Sequence, residues 1–170
     1  MQAEEFAGRC EAEMTRAAQR NHVPVAVLYA VGLTETGRRG WLDPFAMNIE
    51  GRPYFAKNLS DAMREFNTAQ QQGRRLIDIG CMQIDHHFHA QHFRTLADMF
   101  DPQQNVTYAV KLLQQLQHQE GSWTLAVARY HAGPTKTEEQ HRYVCSVVSN
   151  MVNSGLGAWT PKAQHYCQRK

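Results

Sequence analysis

The sequence predicts an α+β fold that is predominantly helical, with a small antiparallel β-sheet inserted between helices. Three observations predict it. Apolar residues recur at helical spacing through most of the chain. The stretch from Trp41 to Ile84 breaks that rhythm and carries the hairpin signal Glu50-Gly51 between two short extended segments. A length of 170 residues, 42% hydrophobic and 20% charged, suits one globular domain over residues 1–170 with one sizeable core.

Taken in order, Glu4 to about Asn21 reads as a helix with a polar face. Pro24 suits the first turn of the next helix, where its missing N–H costs nothing. Val25, Leu28, Tyr29 and Gly32 share a face and Gly37 supplies a stop, so Glu35 closes a mostly buried helix. Ala46–Ile49 and Arg52–Phe55 form the hairpin. Leu59, Ala62, Met63 and Phe66 then share a helical face, which Asn58 or Ser60 can cap and Gly73 ends. Leu76 to Ile84 reads as a strand broken by Gly80. Beyond Asp85 the chain is helical again. Asp101-Pro102 is a cap followed by a first-turn proline, and Val106, Ala109, Val110, Leu113 and Leu116 form a stripe that Gly121 stops. Ser122 can cap a short helix through Trp123, Val127 and Tyr130. Thr137 opens another, with Tyr143, Val144, Val147, Val148 and Met151 along its face. The core is expected over about 10–150; the tail, 155–170, is weakly patterned and unassigned.

Composition excludes several classes of partner. A net charge of +2, with Lys and Arg scattered, offers no dense basic face for nucleic acid. The longest largely apolar run, Val23 to Leu33, is too short to cross a bilayer. Four cysteines without CxxC spacing argue against a zinc ribbon. A disulfide between Cys10 and either Cys167 or Cys145 is expected, because termini often lie close in space. Cys81, in an apolar segment, is expected as a small buried hydrophobe. His86, His87, His89 and His92 invite a metal reading, but the segment lacks a strict i, i+4 pair with a nearby acid and no HExxH appears. They are read as a solvated helix start, and neither metal nor cofactor is expected. Met1 to Glu5 has neither a basic nor an apolar leader region, which fits a cytoplasmic chain or an exported one whose signal peptide has been removed.

Glu35 is the candidate for acid–base chemistry. At a helix C-terminus, behind apolar residues, the helix dipole and poor solvation both disfavour the carboxylate. A carboxyl group that keeps its proton near neutral pH can act as a general acid. Asp43, Asp78 and Asp85 are the carboxylates that could make a two-carboxylate hydrolase. The simpler readings are that Asp78 bonds backbone N–H groups in a turn and that Asp85 caps the segment after it.

Two segments give Glu35 company: Gly80-Cys81-Met82-Gln83-Ile84 and Ala128-Arg129-Tyr130-His131-Ala132-Gly133. Glu35-Thr36 and these two, in this order, resemble the soluble lytic transglycosylases, the goose-lysozyme-like branch of the lysozyme superfamily. Their usual pattern is Glu-Ser, Gly-Leu-Met-Gln-Ile and Ala-Tyr-Asn-Ala-Gly. The segment Asp101–Val106, with the helix after it and Gly121-Ser122-Trp123, is similar too. The resemblance covers roughly residues 10–150. Here Thr36 stands for Ser, Cys81 for Leu, and His131 for Asn, while Asp85 comes after Ile84 where Asn is common.

The resemblance implies a lysozyme-like fold and cleavage of the β-1,4 bond between N-acetylmuramic acid and N-acetylglucosamine. Glu35 would protonate the leaving oxygen, then accept the proton of the sugar's own 6-hydroxyl as it closes a 1,6-anhydro ring. One carboxyl suffices because the nucleophile is intramolecular. Thr36, Met82, Gln83, Tyr130 and His131 would bind substrate, and Gly80 and Gly133 would allow close backbone approach. The partners implied are peptidoglycan glycan strands. The insertion Asn48–Tyr54 is similar to that of members serving a cell-envelope secretion, conjugation or flagellar machine. An exported, periplasmic chain is therefore expected. The alternatives are a hydrolytic muramidase on the same fold and a non-catalytic peptidoglycan-binding scaffold.

Overall fold

Helices with one buried face pack around one core, together with a four-stranded sheet, in the described residues. The computed structural model describes residues 8–36, 42–132, 137–153, 155 and 158–168, without the side chains of 35, 36, 132, 137 and 162. Helix α1 (Arg9–Asn21) buries Cys10, Met14, Ala17 and Ala18, and ends at His22 in a left-handed turn. The part of the expected helix before Gly8, and the expected stop at Gly37, lie outside the described residues. Helix α2 (Val25–Thr36) starts on the Pro24 carbonyl, which accepts from the N–H of Val27. It buries Leu28, Ala30, Val31 and Gly32. Val25, expected on the buried face, is instead exposed at the helix start. A side chain at Gly32 would meet the methyl of Met14 at 2.6 Å, so glycine there lets α1 lie close against α2.

The hairpin forms where the sequence signals it. Strands β1 (Ala46–Ile49) and β2 (Arg52–Phe55) pair antiparallel, with Ile49 opposite Arg52. Glu50 and Gly51 both take positive φ, as a two-residue hairpin turn demands. Helix α3 (Leu59–Gln71) is capped by Asn58, whose side chain accepts from the N–H of Asp61 at 2.9 Å; Asp61 in turn accepts from the N–H of Lys57 at 3.0 Å. Strands β3 (Ile77–Ile79) and β4 (Ile84–Asp85) complete a sheet of order β2-β1-β3-β4. Met47, Ile49, Ile77, Ile79 and Ile84 face the core, while Asn48, Asp78 and Asp85 alternate outward in a row across three strands. Asp78 thus lies inside a strand, not in the turn expected for it.

A short histidine-bearing helix α4 (His86–His89), capped by Asp85, leads through a 3₁₀ turn (Ala90–His92) to α5 (Leu96–Phe100). Helix α6 (Pro102–Glu120) has Asp101 as its cap, Pro102 in its first turn and Gly121, at φ 78°, as its stop. Helices α7 (Trp123–Ala132) and α8 (Thr137–Asn153) come next, α8 packing on α2 and α7 on α6. The tail, unassigned from sequence, contains helix α9 (Pro161–Gln168).

The cysteine pairing differs from expectation. Cys10 bonds Cys81 and Cys145 bonds Cys167. Cys10 and Cys81 are both fully buried, so Cys81 is a cross-link and not a free apolar residue. Facing into the core, not nearness to a terminus, selects the partner of Cys10. Cys167 is used to fasten α9 to α8.

Candidate functional site

The Gly80–Gln83 turn is tied to four other elements, α1, β1, α6 and α7. Gly80 has φ +78°, and a Cβ there would sit 2.6 Å from Asn105 Nδ2 and 3.1 Å from the Met99 carbonyl, so only glycine fits both the conformation and the space. The N–H of Gly80 donates to the Ala46 carbonyl of β1 at 2.9 Å. Asn105, fully buried on α6, accepts from the N–H of Met82 at 2.9 Å and donates to the carbonyls of Ile79 and Met99, both at 2.8 Å. The disulfide to Cys10 fastens the same turn to α1. From α7, the Tyr130 hydroxyl donates to the Met82 carbonyl at 2.7 Å. Asn105 lies in the Asp101–Val106 segment, but sequence reasoning gave it no role. Its signal was an amide in the first turn of an apolar-faced helix.

An open cavity of about 570 Å³ lies between the outer face of the sheet and the α7–α8 corner. Asn48, Asp78 and Asp85 line one wall; Arg129, Tyr130, His131 and Glu139 line the other, and Gln83 lies among them. Gln83 has φ +48° and is nearly buried; its amide donates to the carbonyls of Ala46 at 3.0 Å and Gly80 at 3.1 Å. Both N–H donors are thereby used, and the amide oxygen is what the side chain can offer a ligand. His131 stacks flat on Tyr143, centroids 4.0 Å apart, and its Nε2 lies 3.5 Å from a Glu139 oxygen. Arg129 is held by an ion pair to Glu120.

Of the residues singled out from sequence, Gln83, Tyr130 and His131 meet at this cavity. Met82 does not: its side chain is fully buried, and it contributes only its backbone, through the Tyr130 bond. The turn's positive-φ residues at both ends direct Met82 into the core. Glu35 and Thr36 close α2 in backbone, but their side chains lie outside the described residues, as does Gly133. The turn before them is well held. Thr34 Oγ1 donates to the Ala30 carbonyl at 2.8 Å and accepts from Asn150 Nδ2 of α8 at 2.7 Å. Asn150, which sequence reasoning also missed, ties α8 to the last turn of α2.

The transglycosylase SLT domain model matches residues 13–148. The chain belongs to that family. The match takes in α2, the sheet, the Gly80–Gln83 turn and the α7–α8 corner. No curated protein and no solved structure matches the chain. SLT domains are in general lytic transglycosylases acting on peptidoglycan, usually outside the cytoplasm. The helical architecture with its small antiparallel sheet is that of an α+β, lysozyme-like SLT fold. No helix among the described residues is long and apolar enough to cross a membrane.

The four histidines of the α4 region do not converge as ligands. His86 sets its ring edge against Phe66 of α3 with centroids 4.6 Å apart. His89 Nδ1 lies 2.7 Å from the Tyr108 hydroxyl, and His92 stacks on the same tyrosine ring. Burial holds both His86 and His89 below the ordinary histidine pKa, so both favour the neutral form. His86 and His89 are half-buried and pack, while His87 and His92 stay exposed, so the solvated helix start read from the sequence holds for two of the four. Among the described residues no three His, Cys, Asp or Glu side chains form a metal-binding group.

Proposed function

We propose that this SLT-domain protein is a lytic transglycosylase that cuts the N-acetylmuramic acid β-1,4 N-acetylglucosamine bond and leaves 1,6-anhydro ends. The observation that carries the reading is the turn at Gly80–Gln83. Ties from α1, β1, α6 and α7 hold it rigid, and it brings Gln83 beside Tyr130 at one open cavity. Such preorganisation keeps binding groups in one fixed geometry, which is what positioning a substrate requires.

In this reading Glu35 is the acid and then the base. Its backbone stands at the C-terminal end of α2, where the helix dipole favours the protonated carboxyl. It protonates the glycosidic oxygen, the bond to the anomeric carbon breaks, and the 6-hydroxyl oxygen bonds to that carbon while its proton passes to Glu35. Gln83 contributes its amide oxygen, Tyr130 a ring face, and Thr36 and His131 flank the acid and the far wall. Met82 acts through its carbonyl. The two disulfides fit an exported chain, since such bonds persist in oxidising compartments. The sharing of one core by sheet and helices supports a single domain. Service to an envelope-spanning machine rests on the likeness of the hairpin insertion alone.

A hydrolytic outcome has one observation in its favour. Asp78 and Asp85 stand opposite each other on β3 and β4, and both line the cavity. A carboxylate on that wall could activate water in place of the 6-hydroxyl. Mass spectrometry of purified peptidoglycan digested by the protein and by Glu35→Gln decides between them. Anhydro-ended muropeptides from the wild type alone are expected. Reducing ends would establish the hydrolase, and near-normal turnover by Glu35→Gln would remove Glu35 from the mechanism.

A further inference from the structure

Phe88 is the most exposed large hydrophobic side chain among the described residues, at 60%. It lines the cavity, and so does Leu76, itself 48% exposed. Folding does not account for the position. The inward faces of α4 are filled by His86, against Phe66, and by His89, bonded to Tyr108. Phe88 is left over, yet its backbone is fixed at both ends. Its N–H meets the Asp85 carboxylate at 3.3 Å and its carbonyl accepts from Gln91 Nε2 at 2.8 Å. The ring of His87 sets an edge against it, centroids 4.8 Å apart. An exposed ring on a pinned helix, beside a polar cavity, is open to a ligand with an apolar face.

We infer that Phe88 is a stacking platform for a neutral pyranose ring, a subsite that holds an N-acetylglucosamine unit of the glycan; this rests on the glycan-cleaving reading above. The chemistry of the wall selects the ligand. A pyranose turns an apolar face of C–H groups to the phenyl ring and extends hydroxyl donors around its edge. Asp78, Asp85 and Asn48 on the same wall supply acceptors for those donors. The same carboxylates disfavour anions, so the unit that bears a carboxylate or a peptide stem is disfavoured over Phe88 and the uncharged unit preferred. Alternation along the strand would then let Phe88 set which bonds reach the acid.

The test is calorimetric titration of the full chain with the soluble tetrasaccharide of N-acetylglucosamine, beside initial rates on purified peptidoglycan. Phe88→Ala is expected to raise Kd roughly tenfold and the half-saturating substrate concentration by a similar factor, with kcat kept within about twofold. Phe88→Trp should bind at least as well as the wild type. Phe88→Leu keeps apolar bulk without a flat face and should behave like Phe88→Ala. Wild-type binding and rates in Phe88→Ala overturn the platform while leaving glycan cleavage intact, and full binding by Phe88→Leu overturns the ring-stacking geometry. A wild type that neither binds the tetrasaccharide nor degrades peptidoglycan overturns the glycan reading, and the platform with it.

Discussion

Asn105 carries no charge and faces no solvent, yet three buried backbone groups depend on its side chain. Replacing it by Asp would turn a donor amide into an acceptor aimed at two carbonyls, a like-dipole clash as well as two lost bonds. Asn105→Asp is expected to lower stability by about 3 kcal/mol or more, on the scale of buried polar groups left unsatisfied. Chemical denaturation would measure it, and an unchanged midpoint would mean that the turn is held by its other ties. Gly80→Ala belongs to the same locus, since its Cβ would collide with that amide. Tyr130→Phe is milder. It leaves the Met82 carbonyl without its donor, for which about 1 kcal/mol is expected. Its larger effect is expected on turnover of peptidoglycan, because the same hydroxyl stands at the cavity wall. A variant with full activity would take the hydroxyl out of the reaction and leave Tyr130 its ring face alone.

Among the elements, the two disulfides do different jobs. Cys10–Cys81 spans 71 residues and clamps α1 to the Gly80–Gln83 turn. Its loss, in a double Cys→Ala variant, should cost about 4 kcal/mol as an upper figure from loop entropy. Cys145–Cys167 spans 22 residues and holds α9, which packs mainly on α8. Removing that bond should speed hydrogen exchange across 158–168 while the main melting transition stays nearly in place. A fall in melting temperature as large as that from losing Cys10–Cys81 would contradict this division. Helix α4 carries a pH dependence. Burial lowers the pKa of His86 and His89, with the Asp85 charge opposing it. The unfolded chain therefore binds more protons than the folded one as pH falls from about 6.5 through the folded values. Stability is full above that window and declines within it. Glu50, Asp61 and Asp98 are held below the ordinary carboxylate range, so their contribution is lost only at pH below about 4. Urea midpoints at pH 7.5 and 5 isolate the histidines; the acid midpoint should be lower, and His86→Phe should shrink the gap.

For the whole molecule, sheet and helices share one set of buried side chains, from Met14 on α1 through Ile79 on the sheet to Val147 on α8. One cooperative thermal transition is expected with both disulfides intact. Thiol titration of the unfolded chain should find no free cysteine without reductant and four with it. A free thiol in the purified protein would argue for a reducing compartment.

Local chemistry wrote much of this fold into the sequence. The Glu50-Gly51 hairpin, the Asn58 and Asp101 caps and the Gly121 stop each depend on residues adjacent in the chain, and each forms where its signal stands. The order of the Glu35, Gly80–Ile84 and Ala128–Gly133 segments likewise pointed to the SLT family. Only the tertiary structure decided which side chains meet. Cys10 pairs with Cys81 because both face one core, a fact absent from sequence spacing. Met82 turns inward because Gly80 and Gln83 bend the chain through positive φ on either side of it. Asn150 and Phe88 have no periodic or motif signature, and Asn105 offers only its place in the first turn of α6; packing decides that the two amides meet partners 20 or more residues away and that Phe88 meets the cavity wall. Periodicity reports which face of an element is buried; what that face touches depends on how the elements pack.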